Sequence, residues 1–227
     1  MGLKPGQSLA VNIYYATPHV QQLPPGHRFP MGKYERLRQR LGQELPELRL
    51  SLADPVSDGE LALVHSPAYI EAVATGNLGA AQQREIGFPW SPGMVERARR
   101  SSGATVMAAR SAMREGLAAN LAGGTHHAYP DKGSGFCVFN DAAVCARLMQ
   151  AEWLRSHRHP LAVAIIDWTC TKATARRAFS RMTPVCSPCP CMGPKTFLSA
   201  KRPATWTWPC PTAVATMSTW LLWSRPC

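Results

Sequence analysis

Two adjacent histidines, His126 and His127, lie in the run GGTHHAYPDKGSGFCVFNDA from Gly123 to Ala142. Imidazole is the one side chain whose ordinary titration falls near neutral pH. Two imidazoles side by side can divide the work of a hydrolysis. One takes a proton from water, and the other stabilises developing charge or protonates a leaving amine. Such a pair needs an anion to orient each ring. Asp167, at the end of the apolar run Leu161 to Ile166, is the natural candidate. For an isolated His-His, a pair of surface histidines without a role is the favoured reading. Here the Gly-Gly before the pair, the Gly-Phe-Cys after it and a strand ending in aspartate favour chemistry.

The elements that must hold this loop alternate between strand and helix. Leu9 to Tyr15 is an apolar strand candidate bounded by Gly6 and Pro18. Tyr34, Leu37, Leu41 and Leu45 recur at helical spacing within Gly32 to Leu45, ahead of Pro46. Leu61 to Val64 reads as a short strand. Ser66 caps a helix from Pro67 to Thr75, and Ser91 caps another from Pro92 through Met113. Asn140 to Ser156 is a strong helix. Leu161 to Ile166 suits a strand buried on both faces of a parallel sheet, with Asp167 at the end where open α/β folds place ligands. The alternation implies an α/β architecture.

A chain of 227 residues can bury a sizeable core. No run of about 18 or more apolar residues reads as a membrane span, and the N-terminal stretch has no long apolar segment of the secretory kind. The expectation is a cytoplasmic protein. The net charge of +11 would suggest a nucleic-acid partner, but it is unevenly distributed. Residues 1–167 carry 17 Lys+Arg against 14 Asp+Glu, whereas residues 168–227 carry 8 Lys+Arg and no acid. Six of the 8 cysteines, five of the 7 tryptophans and eight of the 20 prolines also lie after Asp167. The excess charge therefore belongs to a tail of foreign composition, and a nucleic-acid partner is not expected.

At this point a family resemblance emerges. GGTHHA followed by SGFCVFNDAA resembles the histone deacetylase superfamily, and in particular its bacterial class IV-like branch. HRFPMGKYERL (His27 to Leu37), VHSPAYIEAV (Val64 to Val73) and IGFPWSP (Ile86 to Pro92) resemble the same branch, so the likeness covers residues 10–167. It implies a partial arginase/deacetylase-type α/β fold, a parallel sheet flanked by helices, followed by a disordered or non-native C-terminal tail. It implies that His126 and His127 are the catalytic pair and that Asp167 orients the first of them and helps hold a monovalent cation. Gly135 and Phe136 would line the acyl-lysine tunnel, the Gly135 carbonyl facing the substrate amide. The implied reaction is hydrolysis of an N-acetyl amide on an acetylated protein or a small acetylated amine, with a zinc ion polarising the carbonyl.

The resemblance breaks off at Asp167. The family continues as D-x-D-V-H-x-G-x-G, whose second aspartate and histidine bind zinc, with a further aspartate downstream. This chain reads Asp167-Trp-Thr-Cys-Thr-Lys-Ala-Thr-Ala, without these ligands. The genetic code suggests why. Trp168 onward is written TGG ACN TGY ACN AAR GCN ACN GCN. One added base regroups it as xTG GAC NTG YAC NAA RGC NAC NGC, which admits Leu-Asp-Val-His-Gln-Gly-Asn-Gly. The aspartate is forced, and the histidine codon allows only His or Tyr. The same shift turns Cys189 to Phe197 into a stretch compatible with V-x-V-H-G-A-x-N-F, and makes Trp206 to Trp220 rich in aspartate.

The chain accordingly divides into residues 1–167, the N-terminal part of a deacetylase domain, and residues 168–227, an out-of-frame tail. A zinc knuckle around Cys186, Cys189 and Cys191 is the rival reading of the tail. It lacks a second paired knuckle and any histidine. Two functional expectations follow: a zinc-dependent deacetylase by family, or a catalytically dead remnant in the chain as written.

Overall fold

The computed structural model describes residues 11–16, 23–123, 125–167, 213–216 and 220–226; for 166, 167 and the last two segments, only the backbone. Three short strands form a parallel sheet in the order β2-β1-β3: β1 (Asn12–Tyr15), β2 (Arg49–Leu52) and β3 (Ala118–Asn120). Ile13 stands level with Leu50 on one side and Ala119 on the other. Parallel neighbours require crossovers, and helices supply them. α1 (Lys33–Glu44) joins β1 to β2. α2 (Asp58–Leu61), α3 (Pro67–Thr75), α4 (Ala80–Ile86) and α5 (Pro92–Glu115) lie between β2 and β3.

Alternation along β1 separates the two faces. Ile13 joins Ala119 and Leu121 in a small cluster against Leu37 and Leu41 of α1. Tyr14 points the other way, into the main core, and its hydroxyl lies 2.6 Å from Ser111 Oγ on α5. Helices thus cover both faces of the sheet, as expected for an α/β fold. α5 also packs along α6 (Asp141–His157). Close approach is possible because the inner face of α5 is built from Ala98, Gly103, Ala104, Ala108 and Ala112, all buried. Among the described residues, no helix is long and apolar enough to cross a membrane.

The expected helix starts are present. Ser66 Oγ accepts the N–H of Tyr69, Ser91 Oγ accepts that of Met94, and Asn140 Oδ1 accepts that of Ala143. Two expectations are corrected. Leu61 to Val64 is not a strand. Ser57 and Glu60 form a reciprocal capping box that starts α2, and the chain then turns. Leu61 and Val64 are both buried while Leu63 is exposed, so burial recurs at a helical interval and not at every second residue. The second correction concerns β4 (Leu161–Asp167). It pairs antiparallel with β6 (Trp220–Pro226), which pairs with β5 (Ala213–Thr216). Ala162 to Ile165 are half-buried. An apolar run signals a strand, but its neighbour's direction is set by distant residues. The remaining residues of the tail, including Cys186, Cys189 and Cys191, lie outside the described residues.

Candidate functional site

The histidine loop springs from the C-terminal end of β3, the edge at which open α/β sheets present ligands. Asn120 ends the strand, and His126 follows six residues later. His126 is buried and His127 half-buried. Their ring centroids lie 4.3 Å apart, with the planes tilted by 49°. Two imidazoles this close can divide the accepting and donating roles of a proton transfer.

The loop after the pair is held at successive carbonyls. Asn140 Nδ2 donates to the Ala128 carbonyl at 3.3 Å. His65 Nδ1 contacts the Tyr129 carbonyl at 2.9 Å, and the Ser66 N–H donates to the Pro130 carbonyl at 2.8 Å. The Asn140 N–H donates to His65 Nε2 at 3.0 Å, which leaves the His65 proton on Nδ1 and makes Nδ1 the donor to Tyr129. His65 is a buried neutral imidazole whose pKa is pushed down to about 4, chiefly by desolvation. Tyr69 adds a hydroxyl donated to the Val138 carbonyl at 2.8 Å. The N-terminus of α3 therefore clamps the loop to the start of α6.

Gly135 and Phe136 form the wall beside the pair. Both have positive φ, 54° and 65°. A Cβ on Gly135 would lie 3.1 Å from His127 Cδ2, and the positive φ favours glycine, so glycine lets the backbone lie against that ring without strain. Ser134 Oγ donates to the His127 carbonyl at 2.7 Å. The wall is anchored to the end of α4 by Gly135 N–H to the Glu85 carbonyl and Phe136 N–H to the Ile86 carbonyl. The Phe136 ring packs with His27, Phe29 and Phe88, at centroid distances of 5.7, 5.2 and 5.2 Å. His27 ties this cluster together. Its Nδ1 accepts the Phe29 N–H, so its protonated Nε2 donates to the Gly87 carbonyl at 2.8 Å.

A small open cleft adjoins this wall; Arg97, Ser101, Thr125, Phe136 and Asp141 are among its lining residues. The Arg97 guanidinium lies over the rings of Phe29, Tyr34 and Phe88 at 5.3–5.4 Å, and burial holds its pKa below the ordinary arginine range.

Four of the five sequence-derived site residues thus come together: His126, His127, Gly135 and Phe136. Asp167 closes β4, its backbone opposite Trp220, and its side chain lies outside the described residues. Among the described residues, no group of three His, Cys, Asp or Glu side chains could hold a metal ion. Sequence reasoning missed His65, Tyr69 and Asn140 as supports of the loop. The spacing of His65, Ser66 and Tyr69 at a helix start was a signal for them, as was Asn140 immediately before the periodic run of α6.

Comparison with known proteins agrees with this picture. The histone deacetylase domain family matches residues 27–170. An uncharacterized protein of Picosynechococcus is 42% identical over 145 residues, 63% of this chain and 48% of that protein. The acetoin utilization protein AcuC of Bacillus subtilis is 39% identical over 107 residues, 43% of this chain and 28% of its own. The histone deacetylase-like amidohydrolase of Pseudomonas aeruginosa is 35% identical over 129 residues, 53% and 31% respectively. The chain spans about half the length of the first of these relatives and about a third of the others. With a family match over well over half its length, the chain belongs to the histone deacetylase family.

Proposed function

We propose that residues 1–167 are the proton-transfer half of a zinc-dependent amidohydrolase that removes acetyl groups from acetyl-lysine or small acetylated amines. The observation that carries this reading is the His126–His127 ring pair, 4.3 Å apart, with the Gly135–Phe136 wall closed against it. In this reading one imidazole takes a proton from the attacking water and the other gives one to the leaving amine. Gly135 and Phe136 confine the acyl-lysine stem, and Asp167 orients His126 and helps hold a monovalent cation. Acetoin utilization and amidohydrolase activity, the functions in the relatives' names, fit a small acyl substrate.

The donor set of this chain does not fit zinc. Where the family places aspartate and histidine ligands, the chain has Thr169 and Thr171. No step is therefore routed through a metal in the chain as written. The second reading, an inactive remnant, rests on the same two threonines. We infer that residues 168–227 are translated out of frame, because one added base before the Trp168 codon restores an Asp-Val-His motif. The family match ends at residue 170, three residues past Asp167.

The test pairs the 227-residue chain with a version carrying one added base at that codon. Both are assayed for release of acetate from acetyl-lysine peptides and acetylated polyamines with zinc supplied. The frame-restored chain should be active, His126→Ala should abolish that activity, and the original chain should be inactive. Activity in the original chain that depends on His126 would overturn the remnant reading. No activity or zinc binding in the frame-restored chain would overturn the deacetylase reading.

A further inference from the structure

A buried polar chain runs beneath Gly123, on the approach to the histidine pair. Thr105 on α5, Asn120 at the end of β3 and Asp141 in the first turn of α6 are each no more than 3% exposed. Asn120 Nδ2 donates to Thr105 Oγ1 at 2.7 Å. The Thr105 hydroxyl donates in turn to Asp141 Oδ2. The other end of the Asn120 amide, Oδ1, accepts the N–H groups of Ala122 at 2.7 Å and Gly123 at 3.3 Å. Every direction in this chain is set by its ends. A carboxylate only accepts, so Thr105 must donate to it. Thr105 then accepts from Asn120, which turns the Asn120 carbonyl toward the backbone at Ala122 and Gly123. Gly123 sits directly on the network: a Cβ there would lie 2.0 Å from Asp141 Oδ2 and 2.6 Å from Asn120 Nδ2.

We propose that Thr105, Asn120 and Asp141 are positioning residues that fix the backbone at Ala122 and Gly123 and thereby seat His126 in its buried place. This rests on the reading of His126 as a proton-transfer group. The network joins three elements: the C-terminal end of β3, the middle of α5 and the N-terminus of α6. Ser101 of α5 adds a hydroxyl donated to the Ala122 carbonyl at 2.9 Å. Asp141 is held where the positive end of the α6 dipole favours a carboxylate. Gly123 has no side chain with which to hold its own shape, and the Asn120 side-chain carbonyl holds its N–H and that of Ala122.

The test uses the full 227-residue chain and needs no catalysis. Diethyl pyrocarbonate acylates exposed, unprotonated imidazoles, and peptide mass mapping reads each histidine separately. His127 is half-buried and serves as the reactive reference. His65 is buried, is held by Asn140 and Tyr129 without direct contact to Thr105 or Asn120, and reports general loosening. Thr105→Val keeps the shape and removes the hydroxyl. It should raise the modification rate of His126 relative to His127 about tenfold, the factor by which losing one such hydrogen bond shifts a local opening equilibrium. His65 should stay protected. Thr105→Ser keeps the hydroxyl and should keep His126 protected. Should Thr105→Val not yield folded protein, Asn120→Ala cuts the same chain at its other end and should give the same selective exposure. Continued protection of His126, or exposure of His65 in parallel with it, would overturn the proposal. Neither outcome depends on whether the frame-restored chain deacetylates anything.

Discussion

His65 accepts the backbone N–H of Asn140 through Nε2 at 3.0 Å, seventy-five residues along the chain, while its Nδ1–H holds the Tyr129 carbonyl. One neutral ring thus bridges the residue that caps α6 and the loop that carries His126 and His127. The bridge works only without a second proton, because a charged ring has no acceptor for Asn140.

A pH dependence follows. Burial lowers the His65 pKa to about 4 from its ordinary 6.5. Between these values the unfolded chain binds more protons at this site than the native chain, so stability rises with pH there. The contribution of His65 is complete above about pH 6.5 and is lost as pH falls toward 4, with a total of about 3 kcal/mol. We expect urea midpoints measured from pH 4 to 7 to show this slope in the native sequence and a shallower one in His65→Gln. Equal slopes in both would remove His65 from the account.

Tyr69 carries the second arm of the clamp. Its ring is buried, and its hydroxyl donates to the Val138 carbonyl at 2.8 Å. Desolvation raises its pKa, so the phenol stays protonated across the accessible pH range. Tyr69→Phe leaves a buried carbonyl without this donor and should cost about 1–2 kcal/mol. The expected signature in urea unfolding is a lower midpoint with an unchanged slope.

Gly135 is the point where the wall meets the pair. A methyl group there, at a φ of 54°, would lie 3.1 Å from His127 Cδ2, a contact that requires the ring to shift by a few tenths of an ångström. Gly135→Ala should lose about 1–2 kcal/mol from the left-handed backbone alone and displace the His127 ring. Ring-nitrogen resonances of His127 should move, while those of His157, on the far end of α6, should not. A variant with native stability and native His127 shifts would contradict this close packing.

The capping box at α2 offers a test of the corrected Leu61–Val64 segment. Ser57 Oγ accepts the Glu60 N–H at 3.3 Å, and Glu60 Oε2 accepts the Ser57 N–H at 2.8 Å. Ser57→Ala should destabilise the chain by about 1 kcal/mol. A strand at Leu61–Val64 would predict no loss, since this cap has no function outside a helix.

Local chemistry determined much of this protein from sequence alone. Serines before Pro67 and Pro92 marked two helix starts, because a side-chain oxygen can satisfy the free N–H groups of a first turn, and apolar periodicity marked a third helix from Asn140. His126 and His127 stood out by residue type and setting, and Gly135 and Phe136 through the family resemblance alone. The break at Asp167 was visible too, through composition and the codons behind it. Tertiary structure decided the rest. Leu61 to Val64 looked like a strand because four residues are too few to separate the two periods. β2 and β3 passed unnoticed, because Arg49–Leu52 and Ala118–Asn120 acquire their meaning only from β1 between them. β4 ran antiparallel to a partner nearly sixty residues away, which an apolar run cannot foretell. Likewise, no spacing links His65 to Asn140 or Thr105 to Asp141. Those contacts exist because α3, α5 and α6 converge on one loop, and that convergence holds the two adjacent histidines in place.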